Sequence, residues 1–70
     1  MSDNVYKSIE ITGSSTNSIE EAIETAISRT DEKVEHLRWF EVADIRGHIA
    51  DGKVDYYQVT AKIGLKVEEQ

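Results

Sequence analysis

The residues with chemistry to offer in this 70-residue chain are few, and they gather in its second half. Trp39 is the single tryptophan. An indole presents a flat apolar face, and a planar ligand stacked on it gains on the order of 1 kcal/mol beyond simple burial. Tryptophan is also enriched at subunit interfaces, so the same residue could serve assembly alone. Gln58 lies among Tyr56, Tyr57 and Val59. Its carboxamide offers one acceptor and two donors, the complement of a ring edge that alternates C=O with N–H; a solvated strand residue is the plain alternative. Arg46 and Asp44 can pair as a surface ion pair worth less than about 1 kcal/mol, or Arg46 can turn its fork of donors to a ligand oxygen or phosphate. His48 reads as an ordinary strand residue, and Glu20, Glu21, Glu24, Glu32 and Glu35 read as solvated faces. There is no glycine-rich phosphate loop, and local context suggests no Ser/His/Asp or Cys/His set. Catalysis has no visible residues here, and for Trp39, Gln58 and Arg46 the plain structural roles stand beside the binding ones.

These side chains need elements to hold them. Met1 to Asn4 is polar and is expected to fray. From Val5 to Thr12 the chain alternates, with Val5, Ile9 and Ile11 on one side and Tyr6, Ser8, Glu10 and Thr12 on the other, which predicts a strand. Gly13 to Asn17 has loop composition. Ser18, with Glu21 three residues on, predicts a capping box. Ile19, Ala22, Ile23, Ala26 and Ile27 then form the apolar stripe of a helix running to about Asp31, with Glu20, Glu21 and Glu24 where the helix dipole favours negative charge. Glu32 to Arg38 connects to the next strand.

Leu37 to Ala50 and Lys53 to Val67 are strand-like and meet at Asp51-Gly52, a type I′ hairpin signal because both turn positions need positive φ. In the last strand Tyr57, Val59, Ala61, Ile63, Leu65 and Val67 share a core face, while Val54, Tyr56, Gln58, Thr60, Lys62 and Lys66 share the other. The middle strand changes phase. Phe40 and Val42 have one parity and Ile45 and Ile49 the opposite, so a β-bulge at Ala43-Asp44 is expected. With it, Phe40, Val42, Ile45 and Ile49 face the core, and Trp39, Glu41, Arg46 and His48 face away, on the side of Gln58. The fold class is α+β: β-α-β-β, a three-stranded antiparallel sheet with one helix packed on it, as a single domain over residues 1–70.

A chain this short buries only about 60% of its unfolded surface and is marginal without help. It has no cysteine, and His36 and His48 lie without matching ligand spacing, which removes disulfides and a structural metal from the choices. Subunits remain, and one helix cannot cover so long a hairpin. Eight basic residues against 14 acidic give a net charge of −6, which disfavours nucleic acid and anionic membrane surfaces. No apolar run approaches a membrane span and no signal-peptide pattern is seen, so a soluble cytoplasmic protein is expected.

Taken in order, Trp39-Phe40-Glu41-Val42, Asp44, Arg46-Gly47-His48-Ile49, Gly52-Lys53-Val54, Tyr57-Gln58-Val59, Lys62 and Gly64 resemble the dodecin family, as do Val5-Tyr6-Lys7, Gly13 and Ser18-Ile19-Glu20-Glu21-Ala22. Leu65 departs from an aromatic common in the family, and Lys66 stands where some members have arginine. The resemblance implies a sheet wrapped around the helix and twelve copies forming a hollow homododecamer. It implies flavins bound in pairs between subunits, stacked by two-fold-related tryptophans, here Trp39. Gln58 matches the glutamine that hydrogen-bonds the flavin ring edge, Asp44 an acidic position near the ligand, and Arg46 an arginine near the ring or the ribityl phosphate. FMN is the favoured flavin, with riboflavin and related flavins as alternatives. Coenzyme A is a further candidate ligand, which the basic Lys66 would suit. Storage and photoprotective quenching follow from the resemblance; an oligomer using the Trp39 face only for assembly is the rival reading.

Overall fold

The computed structural model describes residues 3–67, so Met1 and Ser2 of the expected frayed segment lie outside it. The element order is β1 (Tyr6–Ser15), α1 (Ile19–Asp31), β2 (Leu37–Ala50) and β3 (Lys53–Lys66), which is the β-α-β-β order read from the sequence. The three strands form one antiparallel sheet in the order β1-β3-β2, so the last strand is central and both others are edges.

The helix begins where expected, with the Ser18 hydroxyl accepting from the Glu21 N–H at 3.0 Å. The reciprocal half of the capping box does not form. The Glu21 carboxylate turns instead to the Ser15 hydroxyl and the Asn17 amide, each donating to it at 2.7 Å. The Ser15 oxygen in turn accepts from the Asn17 and Ser18 N–H groups at 2.9 and 3.3 Å. Ser15 therefore supplies the Ser18 N–H with the acceptor that a capping box would have drawn from Glu21. The stripe Ile19, Ala22, Ile23, Ala26 and Ile27 is buried or half-buried, and Ala22 is fully so.

β1 runs to Ser15 rather than to Thr12, and starts at Tyr6 rather than Val5. Loop-forming composition yields here to the ladder, because Gly13, Ser14 and Ser15 pair with Val59, Gln58 and Tyr57. Gly13 also lets the helix backbone close onto the strand: a Cβ there would overlap the Ala22 carbonyl oxygen and lie 2.8 Å from the Ala26 Cβ. The hairpin turn has positive φ at Asp51 (54°) and Gly52 (74°), as the type I′ reading requires.

The expected bulge is present, a register shift between Val42 and Asp44. It puts Phe40, Val42 and Ile45 opposite Ile63, Ala61 and Val59 on the helix side. Two further shifts occur, between Leu37 and Trp39 and between His48 and Ile49. The latter leaves Asp55 out of the pairing and sets Val54 opposite Ile49, so Val54 changes sides relative to the sequence expectation.

Among the described residues the buried apolar core is small: Ala22, Val59, Ala61 and Ile63. The expectation that Phe40, Val42, Ile45 and Ile49 are core residues is corrected in one respect. They occupy the helix-side face but remain exposed, Ile49 by 72%. The cause is strand order, since the helix packs chiefly on β1 and β3 and meets β2 only at its start, where Ile27 shares a hollow with Leu37 and Phe40. The radius of gyration is 14.7 Å, against about 11 Å for a compact chain of this length. The accessible surface is 5349 Å², against roughly 4,400 Å² for a monomer of this mass. The long hairpin of two 14-residue strands makes the chain 56 Å in its longest dimension, and its uncovered apolar side adds accessible surface.

Candidate functional site

On the sheet face away from the helix, side chains fall into rows fixed by register. Trp39 lies opposite Gly64, Glu41 opposite Lys62, Asp44 opposite Thr60, Arg46 opposite Gln58, and His48 opposite Tyr56. On the far side of β3 the same rows continue to Ser8, Glu10, Thr12 and Ser14. All four candidate residues, Trp39, Asp44, Arg46 and Gln58, therefore share one face. The bulge makes this so, because without it Trp39 and Arg46 would point to opposite sides.

Trp39 is 45% exposed, and its indole covers Gly64. A Cβ on Gly64 would overlap Cε2, Cζ2 and Cη2 of the indole, so only glycine leaves room for the ring to lie against the strand. Tyr6 meets the indole edge-on, with ring centroids 5.0 Å apart and planes at 68°. Such T-shaped contacts are favoured by the aromatic quadrupole and steady the ring. Neither Tyr6 nor Gly64 was given a role in the site from the sequence, although both stand among the residues that carry the resemblance. A glycine inside a regular strand is the signal of close approach that would have found Gly64.

Asp44, Arg46 and Gln58 come together. Arg46 donates from Nε to Gln58 Oε1 at 2.7 Å and from a terminal nitrogen to Asp44 Oδ2 at 2.7 Å. Trp39 does not join them within one chain. Its row partner Gly64 is six residues from Gln58 along β3, about 20 Å of strand.

Gln58 lines an open hollow of about 380 Å³ with Ser14, Ser15, Thr16 and Tyr56. His48, given no role from the sequence, stacks on Tyr56 at 5.5 Å with planes 12° apart. Its Nδ1 lies 3.1 Å from the carboxylate of the bulged Asp55. A carboxylate can only accept, so this nitrogen carries the proton. Cross-strand partnership across an irregular register is what hid this pair. Among the described residues there is no cluster of His, Asp and Glu suited to a metal, and no helix is long and apolar enough to cross a membrane.

The sequence matches the family model described as Dodecin over residues 5–68. A dodecin from Thermus thermophilus is 43% identical over 65 residues, covering 93% of this chain and 94% of that one. The solved dodecin of Streptomyces davaonensis superposes with a TM-score of 0.91 at 35% identity, covering 97% of this chain and 100% of the other. An arginine-to-alanine mutant of the Thermus thermophilus dodecin gives a TM-score of 0.91 at 41% identity, with the same coverage of 97% and 100%. With the sheet order, the bulged hairpin and the tryptophan face all in place, the chain belongs to the dodecin family.

Proposed function

We propose that this protein binds flavin without catalysing a reaction on it, and stores and shields it inside a homododecameric shell. The observation that carries the reading is the tryptophan face: an exposed indole laid flat over Gly64 and steadied by Tyr6, on the same face as an amide suited to a ring edge. Flavin, when bound, supplies a planar photo-oxidant. Trp39 gives that ring a stacking surface and a nearby electron donor for quenching, and Gln58 gives its polar edge hydrogen bonds. FMN is the first candidate, then riboflavin; coenzyme A near Lys66 is a separate candidate ligand.

The separation of Trp39 from Gln58 supports a site made by two copies. A ring stacked on Trp39 does not reach the Gln58 of the same chain, about 20 Å of strand away, whereas an antiparallel two-fold would bring one copy's indole toward the other's amide. The rival, in which Trp39 serves assembly alone, is disfavoured by a division of labour. The exposed apolar residues Phe40, Val42, Ile45 and Ile49 already give β2 an assembly surface on the opposite face. Twelve copies of one 70-residue domain, in the cytoplasm, complete the proposal.

The test is to denature the purified protein, identify released ligand by mass, and titrate the stripped protein with FMN. The expected result is released flavin and quenched fluorescence on rebinding. Ligand-free protein that leaves FMN fluorescence unchanged would overturn the reading.

A further inference from the structure

Building on the flavin reading, we infer that Arg46 serves the site through Gln58 rather than by touching the ligand. It locks the carboxamide so that Gln58 presents its NH₂ group, which makes this part of the site a reader of ring-edge acceptors.

The chemistry of the contact decides the orientation. A guanidinium has five N–H donors and no acceptor. The Gln58 atom that Arg46 Nε approaches at 2.7 Å must therefore be the amide oxygen. Flipping the amide would set NH₂ against N–H, losing the bond and facing donor with donor. Arg46 is itself held, because its terminal nitrogen donates to Asp44 at 2.7 Å. Asp44 and Arg46 stand two residues apart in regular register after the bulge, opposite Thr60 and Gln58, so the carboxylate and the guanidinium share one face. A chain of fixed direction results, from Asp44 to Arg46 to Gln58.

This arrangement also separates the two residues by role. Gln58 borders the open hollow beside Ser14 and Tyr56, and Arg46 does not. A ligand entering there meets the amide first, with its oxygen already engaged and its two N–H donors available. Carbonyl oxygens and unprotonated ring nitrogens satisfy those donors, while a ring N–H must find its acceptor elsewhere. Arg46 is thus a positioning residue, and Asp44 positions it in turn. Because the ion pair is exposed on both sides, it adds little to stability, and its contribution is to geometry.

A double-mutant cycle on the assembled protein tests this, with FMN and riboflavin titrated by fluorescence into wild type, Arg46→Ala, Gln58→Ala and the double variant. The expected result is that Arg46→Ala weakens both flavins alike, by up to about tenfold. In the Gln58→Ala background the same change should add no more than about twofold to threefold. Arg46→Lys should not rescue, since a lysine point charge lacks the fork that reaches both partners. Losses that multiply in the double variant would overturn the proposal, as would an Arg46→Ala effect confined to FMN, the mark of a direct phosphate contact. Wild-type protein that binds neither flavin would instead overturn the flavin reading on which the proposal rests. Size-exclusion chromatography of each variant reports whether the assembly is kept.

Discussion

At the scale of single residues, the tryptophan face is a construction of three side chains, one of them only a hydrogen. Trp39→Ala removes the platform itself. If two copies share each site, both platforms go at once, and FMN affinity should fall 100-fold or more, with any flavin still bound fluorescing more brightly. Fluorescence titration and size-exclusion chromatography on the same variant check it, and a shell that falls apart would point to an assembly role instead. Gly64→Ala asks a finer question, because the added methyl lands on the exposed indole and not on backbone. The ring should lift from the sheet while the chain stays folded. A shifted tryptophan emission and weaker FMN binding are expected, and an unchanged emission spectrum would show that Gly64 is not the cradle.

At the scale of elements, the junction between β1 and α1 carries the largest local consequences. Ser15 is buried and satisfies two backbone N–H groups while donating to Glu21. The Ser15 hydroxyl, and secondarily the Asn17 amide, hold the Glu21 carboxyl below its ordinary range by favouring its charged form. Because the folded value is depressed, this contribution is complete above the unfolded pKa and is lost as pH falls through the folded one. A carboxyl titration followed by NMR should give Glu21 a midpoint below the usual glutamate value, and Ser15→Ala should move it upward. Gly13→Ala tests the packing between the same two elements. Its Cβ would meet the fixed Ala22 carbonyl, so the helix must retreat, at a cost of about 1–3 kcal/mol. A lower thermal midpoint at matched protein concentration is the expected readout.

At the scale of the molecule, the sheet is extended and half-covered, and the proposed assembly would finish its core. The apolar residues of β2 on the helix-side face are the surface that copies would cover. Ile45→Lys places a charge in the middle of that surface, at a residue 52% exposed in the single chain and outside its buried core. Sedimentation at micromolar concentration should find one large species for the native chain and only small, poorly folded species for the variant. A compact folded monomer of the native chain would defeat the assembly proposal.

Local rules explain why so much was legible. The helical stripe, the Ser18 cap and the Asp51-Gly52 turn are each determined by residues a few positions apart, and each formed where the sequence put it. The phase change between Val42 and Ile45 was enough to locate the bulge, and with it the common face of Trp39, Arg46 and Gln58. What the sequence could not determine depended on partners far along the chain. That β3 is central, that most of β2 escapes the helix, and that Val54 changes sides across the register shift at His48 and Ile49 all follow from strand pairing at long range. The direction of the Gln58 amide, the indole seated on Gly64 and the His48–Tyr56 stack were decided the same way, because each needs two strands brought into register before its atoms meet.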